Sequence, residues 1–270
     1  MSELAERQAV VHLATRRIAA AEWFKLTHTR STWVLLGLMT FCAAGLPVLL
    51  ALLQSPDNYV DFDNILTPGE QILNTASGVA LNISTIFAVL LGALVVTSEF
   101  STGAIRSTWA AAPRRLSVLI GKWLCVSAIS ALTILVVLAI ALGAWLWAIR
   151  GLHYQLPFGG LLQVLLGAVF YQIGLTTFAL LAGAIIRSTA GTIAAVFGLI
   201  WLVPILISQI PVVWINDCLP WLPAQALVRV ATIDHSGDYA GGAWGGLLAT
   251  IIYVVLLGWP AFWLTRRRDA

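Results

Sequence analysis

Residues 123–149 read WLCVSAISALTILVVLAIALGAWLWAI and contain no Asp, Glu, Lys or Arg. About 20 consecutive apolar residues are enough for a helix to cross the hydrocarbon core of a bilayer. The stretch therefore predicts a membrane-spanning helix. The whole chain agrees, because 60% of its 270 residues are hydrophobic and only 10% are charged, whereas soluble domains carry about 25% charged residues. This composition excludes a soluble enzyme, a disordered tail, a fibrous repeat and a secreted disulfide scaffold.

Five further apolar stretches predict spanning helices, which makes the chain an all-α membrane protein with six transmembrane helices. We expect a single transmembrane domain over residues 1–270, with spans at 32–53, 76–97, 123–149, 160–186, 190–207 and 247–264. Only Arg187, Ser188 and Thr189 separate the fourth span from the fifth. No cleavable signal peptide is predicted, since the first apolar run starts near Thr32.

The Lys and Arg residues predict the orientation of the spans. Six spans place both termini on one side, and thirteen of the fifteen Lys and Arg residues fall on that side. Arg150 and Arg229 fall on the other side. We therefore expect both termini in the cytoplasm. The thirteen residues are Arg7, Arg16, Arg17, Lys25, Arg30, Arg106, Arg114, Arg115, Lys122, Arg187, Arg266, Arg267 and Arg268.

Two segments outside the spans mix apolar and polar residues. Residues 15–31 predict an amphipathic helix in the cytoplasmic interface, with a merely basic flank of the first span as the alternative. Residues 208–246 are too apolar for a free loop. Their prolines at 211, 220 and 223 interrupt any continuous helix. We expect short helices there that enter the outer leaflet.

The sequence predicts no catalytic, cofactor-binding or metal-binding residue. Its four His residues lie outside the spans, and it has no zinc motif, nucleophile elbow or phosphate-binding loop. If ATP drives the protein, another chain must bind the ATP. The spans hold no Asp, Lys or Arg, which disfavours a proton or ion relay.

The loop after the second span is the most informative segment. Residues 99–115 read EFSTGAIRSTWAAAPRR and predict a short helix parallel to the membrane, stopped by Pro113. Ile105 and Trp109 share one face, with Arg106 adjacent, so the helix is suited to a groove on a cytoplasmic partner. The alternative is a basic loop that binds anionic lipid.

This loop resembles the coupling region of the type-2 permeases of ABC transporters, especially the actinobacterial ones. The resemblance consists of Glu99, residues 103–106 (GAIR), residues 113–115 (PRR) and residues 121–122 (GK), in that order. Residues 21–26 (AEWFKL) are similar to the interfacial elbow of the same family. The resemblance extends over essentially the whole chain.

The resemblance implies a type V ABC exporter fold in the plasma membrane of a bacterium. It implies two cytoplasmic ATPase subunits that bind ATP and Mg²⁺, and a second permease, either a copy of this chain or a paralogue. The chain itself would not be an enzyme and would not bind nucleic acid. It would export a compound that we expect to be apolar or amphipathic. The implied coupling residues are Glu99, Gly103, Ile105, Arg106, Trp109 and Pro113, and the implied membrane-interface anchors are Trp23, Lys25, Arg114, Arg115 and Lys122.

A stripe of small and polar residues runs along the second span. Gly78, Asn82, Thr85 and Gly92 fall on one face. Such a face favours close helix contacts, either within this chain or at a dimer interface that lines a translocation path. A secondary transporter or channel, and a membrane scaffold or sensor, remain the alternative functions.

The predicted topology can be tested with fusions. A reporter that is active only in the cytoplasm, fused after Ala270, is expected to be active. The same reporter inserted after Arg150, on the opposite side, is expected to be silent. The reverse result would contradict the topology.

Overall fold

Helices form every regular element in the part of the chain that the computed structural model describes, namely residues 18–53, 66–104, 115–148, 150, 156–212, 217–234 and 242–267. We label them in chain order: α1 (18–28), α2 (Arg30–Leu53), α3 (Pro68–Thr102), α4 (Arg115–Ala148), α5 (Phe158–Ile186), α6 (Thr189–Phe197), α7 (Val203–Ser208), α8 (Pro223–Ala231) and α9 (Gly242–Arg267). A π-helical turn, Gly198–Leu202, joins α6 to α7, and a 3₁₀ turn, Leu219–Trp221, precedes α8.

Six of these helical segments are long and apolar enough to cross a membrane, which confirms the predicted six-helix architecture. They are α2, α3, α4, α5, the continuous segment from α6 to α7, and α9. The break between the fourth and fifth segments occurs where the sequence predicted it. Arg187 ends α5 with a φ of 59°, and the Ser188 side chain accepts a hydrogen bond from the Gly191 N–H at the start of α6.

The longest helix, α3, extends beyond its predicted apolar core at both ends. Its start is fixed by a capping box, in which Thr67 and Glu70 each accept a hydrogen bond from the other's backbone N–H. Its end is fixed by Gly103, whose φ of 71° suits a residue without a Cβ. At 35 residues the helix is about 52 Å long, so its ends project from a hydrocarbon core about 30 Å thick.

The centre of the molecule is the contact between α3 and α5. A Cβ on Gly92 would lie 2.4 Å from the Thr176 carbonyl oxygen, so the two backbones are nearly touching. The Thr85 and Tyr171 hydroxyls are hydrogen-bonded at 2.6 Å. Small residues and hydroxyl pairs are typical of packed membrane helices.

These contacts correct part of the predicted interface stripe. Thr85 and Gly92 are buried against α5 of the same chain. Asn82 is exposed, and the space beside Gly78 is open within 4 Å. Among the described residues of the stripe, only Gly78 and Asn82 are therefore not buried within this chain.

The short helix α8 is inserted between α5 and α9. A Cβ on Gly167 would lie 2.3 Å from the Val230 carbonyl oxygen, and a Cβ on Gly246 would lie 2.3 Å from that of Ala226. Farther along α5, Gly174 faces the Leu227 side chain. The segment after the fifth span thus folds back along the bundle, which agrees with the predicted short helices at this end. We call the end of the bundle at which α8 lies the α8 end.

The close approach at Gly92 gives a stability prediction. Gly92→Ala is expected to destabilise the folded protein by about 1–3 kcal/mol, because the new methyl group must displace backbone atoms of α5. Gly143→Ala, within α4, is the matched control and is expected to cause no loss, because the added methyl group meets nothing within 4 Å. Thermal unfolding of the purified protein in detergent measures both changes, and equal melting temperatures would contradict the proposed packing.

Candidate functional site

Four charged side chains meet where α1, α3 and α4 come together, at the end of the bundle opposite to α8. Glu22 and Lys25 lie on one face of α1, since residues three apart are neighbours on a helix. Glu99 lies in the last turn of α3, and Lys122 lies two turns into α4. We call these four residues the ion cluster and this end the cluster end.

Lys122 is the centre of the ion cluster. Its Nζ lies 2.8 Å from Glu22 Oε2 and 2.6 Å from Glu99 Oε1. Glu99 Oε1 also pairs with Lys25. These contacts join residues that lie 100, 23 and 74 positions apart in the chain. The ion cluster therefore ties three separate helices to one another.

Burial makes these ion pairs energetically important. The exposed fractions of the Lys122 and Glu99 side chains are 3% and 2%, whereas that of Lys25 is 51%. Loss of one partner of a buried ion pair leaves an uncompensated charge and costs about 3–5 kcal/mol. Exposed ion pairs contribute about 0–1 kcal/mol. Lys122 and Glu99 therefore hold the cluster together more strongly than Lys25 does.

Two residues of the ion cluster lie on the helices that flank the predicted coupling segment. Gly103 ends α3 four residues after Glu99, and α4 begins at Arg115, seven residues before Lys122. The loop between these helix ends is therefore held at both of its flanks, and Glu22 adds α1 to the same unit. The end of α3, the start of α4 and α1 are therefore joined into one unit by the ion cluster.

A second set of contacts connects this end of α3 to the turn between α5 and α6. The Thr189 hydroxyl donates a hydrogen bond to the Thr97 hydroxyl at 2.8 Å. The Arg187 guanidinium lies 5.0 Å from the centre of the Phe100 ring, within the range of a cation–π interaction. The end of α3 is thus braced on both sides.

The structure places some of the predicted coupling and anchoring residues, while others lie outside its described part. Glu99 is buried in the ion cluster, and Gly103 ends α3. Trp23 is exposed on α1, and Lys25 is half exposed. The residues outside the described ranges are Ile105, Arg106, Trp109, Pro113 and Arg114, and the structure describes Arg115 only as the first residue of α4.

The position of Lys122 corrects one prediction and adds a residue that the sequence did not reveal. We expected Lys122 to anchor at the lipid surface, but its ammonium group is buried between two carboxylates and is not available to lipid headgroups. Its partner Glu22 was not predicted as a site residue. The local signals for Glu22 are its place in the elbow-like residues 21–26 and its spacing of three residues from Lys25, on the same face of α1.

The described residues contain no group of three or more His, Cys, Asp or Glu side chains that could hold a metal ion. The four charged side chains of the ion cluster instead form ion pairs with one another, and these pairs link α1, α3 and α4. Within the described part of the chain, this arrangement suits mechanical connection between helices.

The ion cluster gives a stability prediction. Lys122→Met is expected to destabilise the protein by about 3–5 kcal/mol, because it leaves two buried carboxylates without their shared cation. Lys25→Met removes the same charge from a half-exposed position, so a smaller loss is expected. Addition of Glu99→Gln to Lys122→Met is expected to restore part of the stability. Equal melting temperatures for the two single variants would contradict the assigned roles.

Comparison with known families identifies the chain. A family model described as "ABC-2 family transporter protein" matches residues 16–263. The match begins before α1 and ends within α9, so it includes all four residues of the ion cluster, the first five spans and all but the last residue of the sixth. No curated protein gives a significant match. The chain belongs to the ABC-2 transporter family and is a multi-pass membrane permease subunit of an ABC transporter.

Proposed function

We propose that this permease exports its cargo with energy from ATP hydrolysed by separate cytoplasmic ATPase subunits. The observation that carries the proposal is the ion cluster, which joins both helices that flank residues 105–114 to α1. A partner that moves this loop thereby moves three helices at once. The family supports the ATPase partnership, since ABC-2 permeases generally work with ATPase subunits.

In this proposal the cluster end faces the cytoplasm. The excess of Lys and Arg on the side that holds the termini supports this orientation. The α8 end then faces the outside of the cell membrane. Trp23, Lys25, Arg114 and Arg115 are suited to anchor the cytoplasmic side at the lipid headgroups, and the exposure of Trp23 agrees with that role.

The coupling step divides the predicted residues into two groups. Ile105, Arg106 and Trp109 contact a cleft of the ATPase, and Pro113 ends that contact. Glu99 and Gly103 form the base of the loop: Gly103 ends α3, and Glu99 transmits displacement through Lys122 to α4 and through Lys25 to α1. The burial of Glu99 supports this internal role over direct contact with the ATPase.

The proposed complete transporter contains two permeases and two ATPase subunits. ATP and Mg²⁺ bind to the ATPases, and the permease performs no chemistry. The second permease is another copy of this chain or a paralogue. The exposed Asn82 and the open space beside Gly78 support a contact with it along α3. The many apolar side chains of the bundle favour an apolar or amphipathic cargo.

The ATPase partnership can be tested by co-purification from the native membrane. The wild-type permease is expected to retain subunits that carry a phosphate-binding loop, identified by mass spectrometry, and to show ATP hydrolysis. The double variant Arg106→Ala/Trp109→Ala is expected to lose most of both, because it removes the charge and the large apolar side chain of the proposed contact.

Ser107→Ala, within the same loop, is the matched control and is expected to keep the ATPase subunits. Membrane insertion and melting temperature of the three proteins are compared to exclude misfolding. Equal recovery of ATPase subunits with the double variant and with the wild type would overturn the coupling assignment.

A further inference from the structure

A cavity of about 640 Å³ opens at the α8 end, far from the ion cluster. Its size falls in the range of small-molecule sites. Apolar and polar side chains share its wall. The wall consists of Asn74 on α3, Pro204, Ile205 and Ser208 on α7, Leu219 and Pro220 in the 3₁₀ turn, Gln225, Val228 and Arg229 on α8, and Thr232, Ile233 and Asp234 after it.

Arg229 is the unusual residue of this wall. Its exposed fraction is 4%, and its guanidinium lies 5.3 Å from the centre of the Trp221 ring. On α8 it lies between Leu227, which contacts Gly174 of α5, and Val230, which contacts Gly167. Arg229 is therefore a buried charge in the cavity wall, on a helix that packs against α5. A small number of charged or polar groups in a largely apolar wall is typical of ligand-binding sites.

Hydrogen bonds fix the wall around Arg229. The Asn74 amide donates to the Ile233 carbonyl at 2.7 Å and accepts from the Ile233 N–H at 2.9 Å. The Gln163 amide donates to the Thr232 carbonyl at 3.0 Å. The Tyr253 hydroxyl donates to the Trp221 carbonyl at 2.9 Å. A preformed cavity of this kind loses little freedom when a ligand enters.

We propose that this cavity binds an amphipathic molecule with one anionic group, a carboxylate or a phosphate, which Arg229 recognises. The guanidinium keeps its charge in any environment and matches planar oxyanions. The apolar part of the ligand lies along Ile205, Leu219 and Val228. Asp234, exposed at the rim, opposes ligands that carry several negative charges.

This inference deepens the proposed export function, since a site at the α8 end is where cargo would leave the permease. The same chemistry is present in an anionic phospholipid of the surrounding leaflet. Binding is a property of the permease alone, so it can be measured without any ATPase. A negative binding result would therefore leave the ATPase co-purification result unaffected.

The test uses dodecyl phosphate that carries a photoreactive diazirine on its alkyl chain. The full-length permease, purified in a neutral detergent and depleted of lipid, is irradiated with it, and labelling of residues 217–234 is quantified by mass spectrometry. Arg229→Gln is expected to raise the probe concentration that gives half-maximal labelling by about tenfold or more. A change of this size is typical of the loss of a charge-assisted hydrogen bond.

Arg150→Gln is the matched control, because Arg150 also lies over a tryptophan ring, at 4.7 Å from that of Trp147, but is exposed outside the cavity. Its labelling is expected to equal that of the wild type. A second cavity variant, Ile205→Trp, keeps Arg229 and fills the apolar side of the cavity, and it is expected to reduce labelling as well. Melting temperatures verify that each variant is folded.

Competition identifies the source of the ligand. If phosphatidylglycerol displaces the probe, the site accepts a membrane lipid. If only unlabelled dodecyl phosphate displaces it, the site accepts a smaller anionic amphiphile. Both results support the proposal. Equal labelling of folded Arg229→Gln and wild type would overturn it, and so would equal labelling by a cationic probe, dodecyltrimethylammonium with the same diazirine.

Discussion

The hydrocarbon core of a bilayer offers no water to backbone N–H and C=O groups, so each group must find a partner inside the protein. A helix meets this requirement within its own segment, and the six spans follow from it. Side chains obey the same rule. The hydroxyls of Thr85 and Thr97, for example, donate to backbone carbonyls one turn earlier in α3 and also contact α5 or α6. Polar atoms thus contribute to helix packing.

The backbone departs from a regular α-helix where a residue cannot make the usual α-helical hydrogen bond. Pro204 has no N–H to donate to the carbonyl four residues earlier, and the π-helical turn Gly198–Leu202 ends two residues before it. Pro220 lies within the 3₁₀ turn, and Pro223 is the first residue of α8, where a missing N–H costs no helical hydrogen bond. The irregular backbone around α8 lies against α5 and α9, which agrees with the rule that such backbone is tolerated only when covered by protein.

The sequence was sufficient to predict where the helices lie in the chain, but it did not predict the contacts between them. Hydropathy located all six spans, and Arg187, Ser188 and Thr189 marked the turn between two of them, because charge and capping act locally. The pairing of Lys122 with Glu22 joins residues 100 positions apart, and no local pattern encodes such a distance. For the same reason, helical periodicity placed Gly92 on a stripe with Gly78 but did not reveal that α5 covers Gly92. The predicted roles of Ile105, Arg106 and Trp109 remain predictions, since these residues lie outside the described part.

The balance of charges in the ion cluster has an electrical consequence. Two carboxylates and two ammonium groups carry no net charge, although they hold α1, α3 and α4 together at the cluster end. Moving one elementary charge through a membrane potential involves about 2.3 kcal/mol per 100 mV. A neutral cluster can shift along the membrane normal without this work. The ion cluster itself therefore adds no net charge that a movement of α1, α3 and α4 would have to carry through the membrane potential.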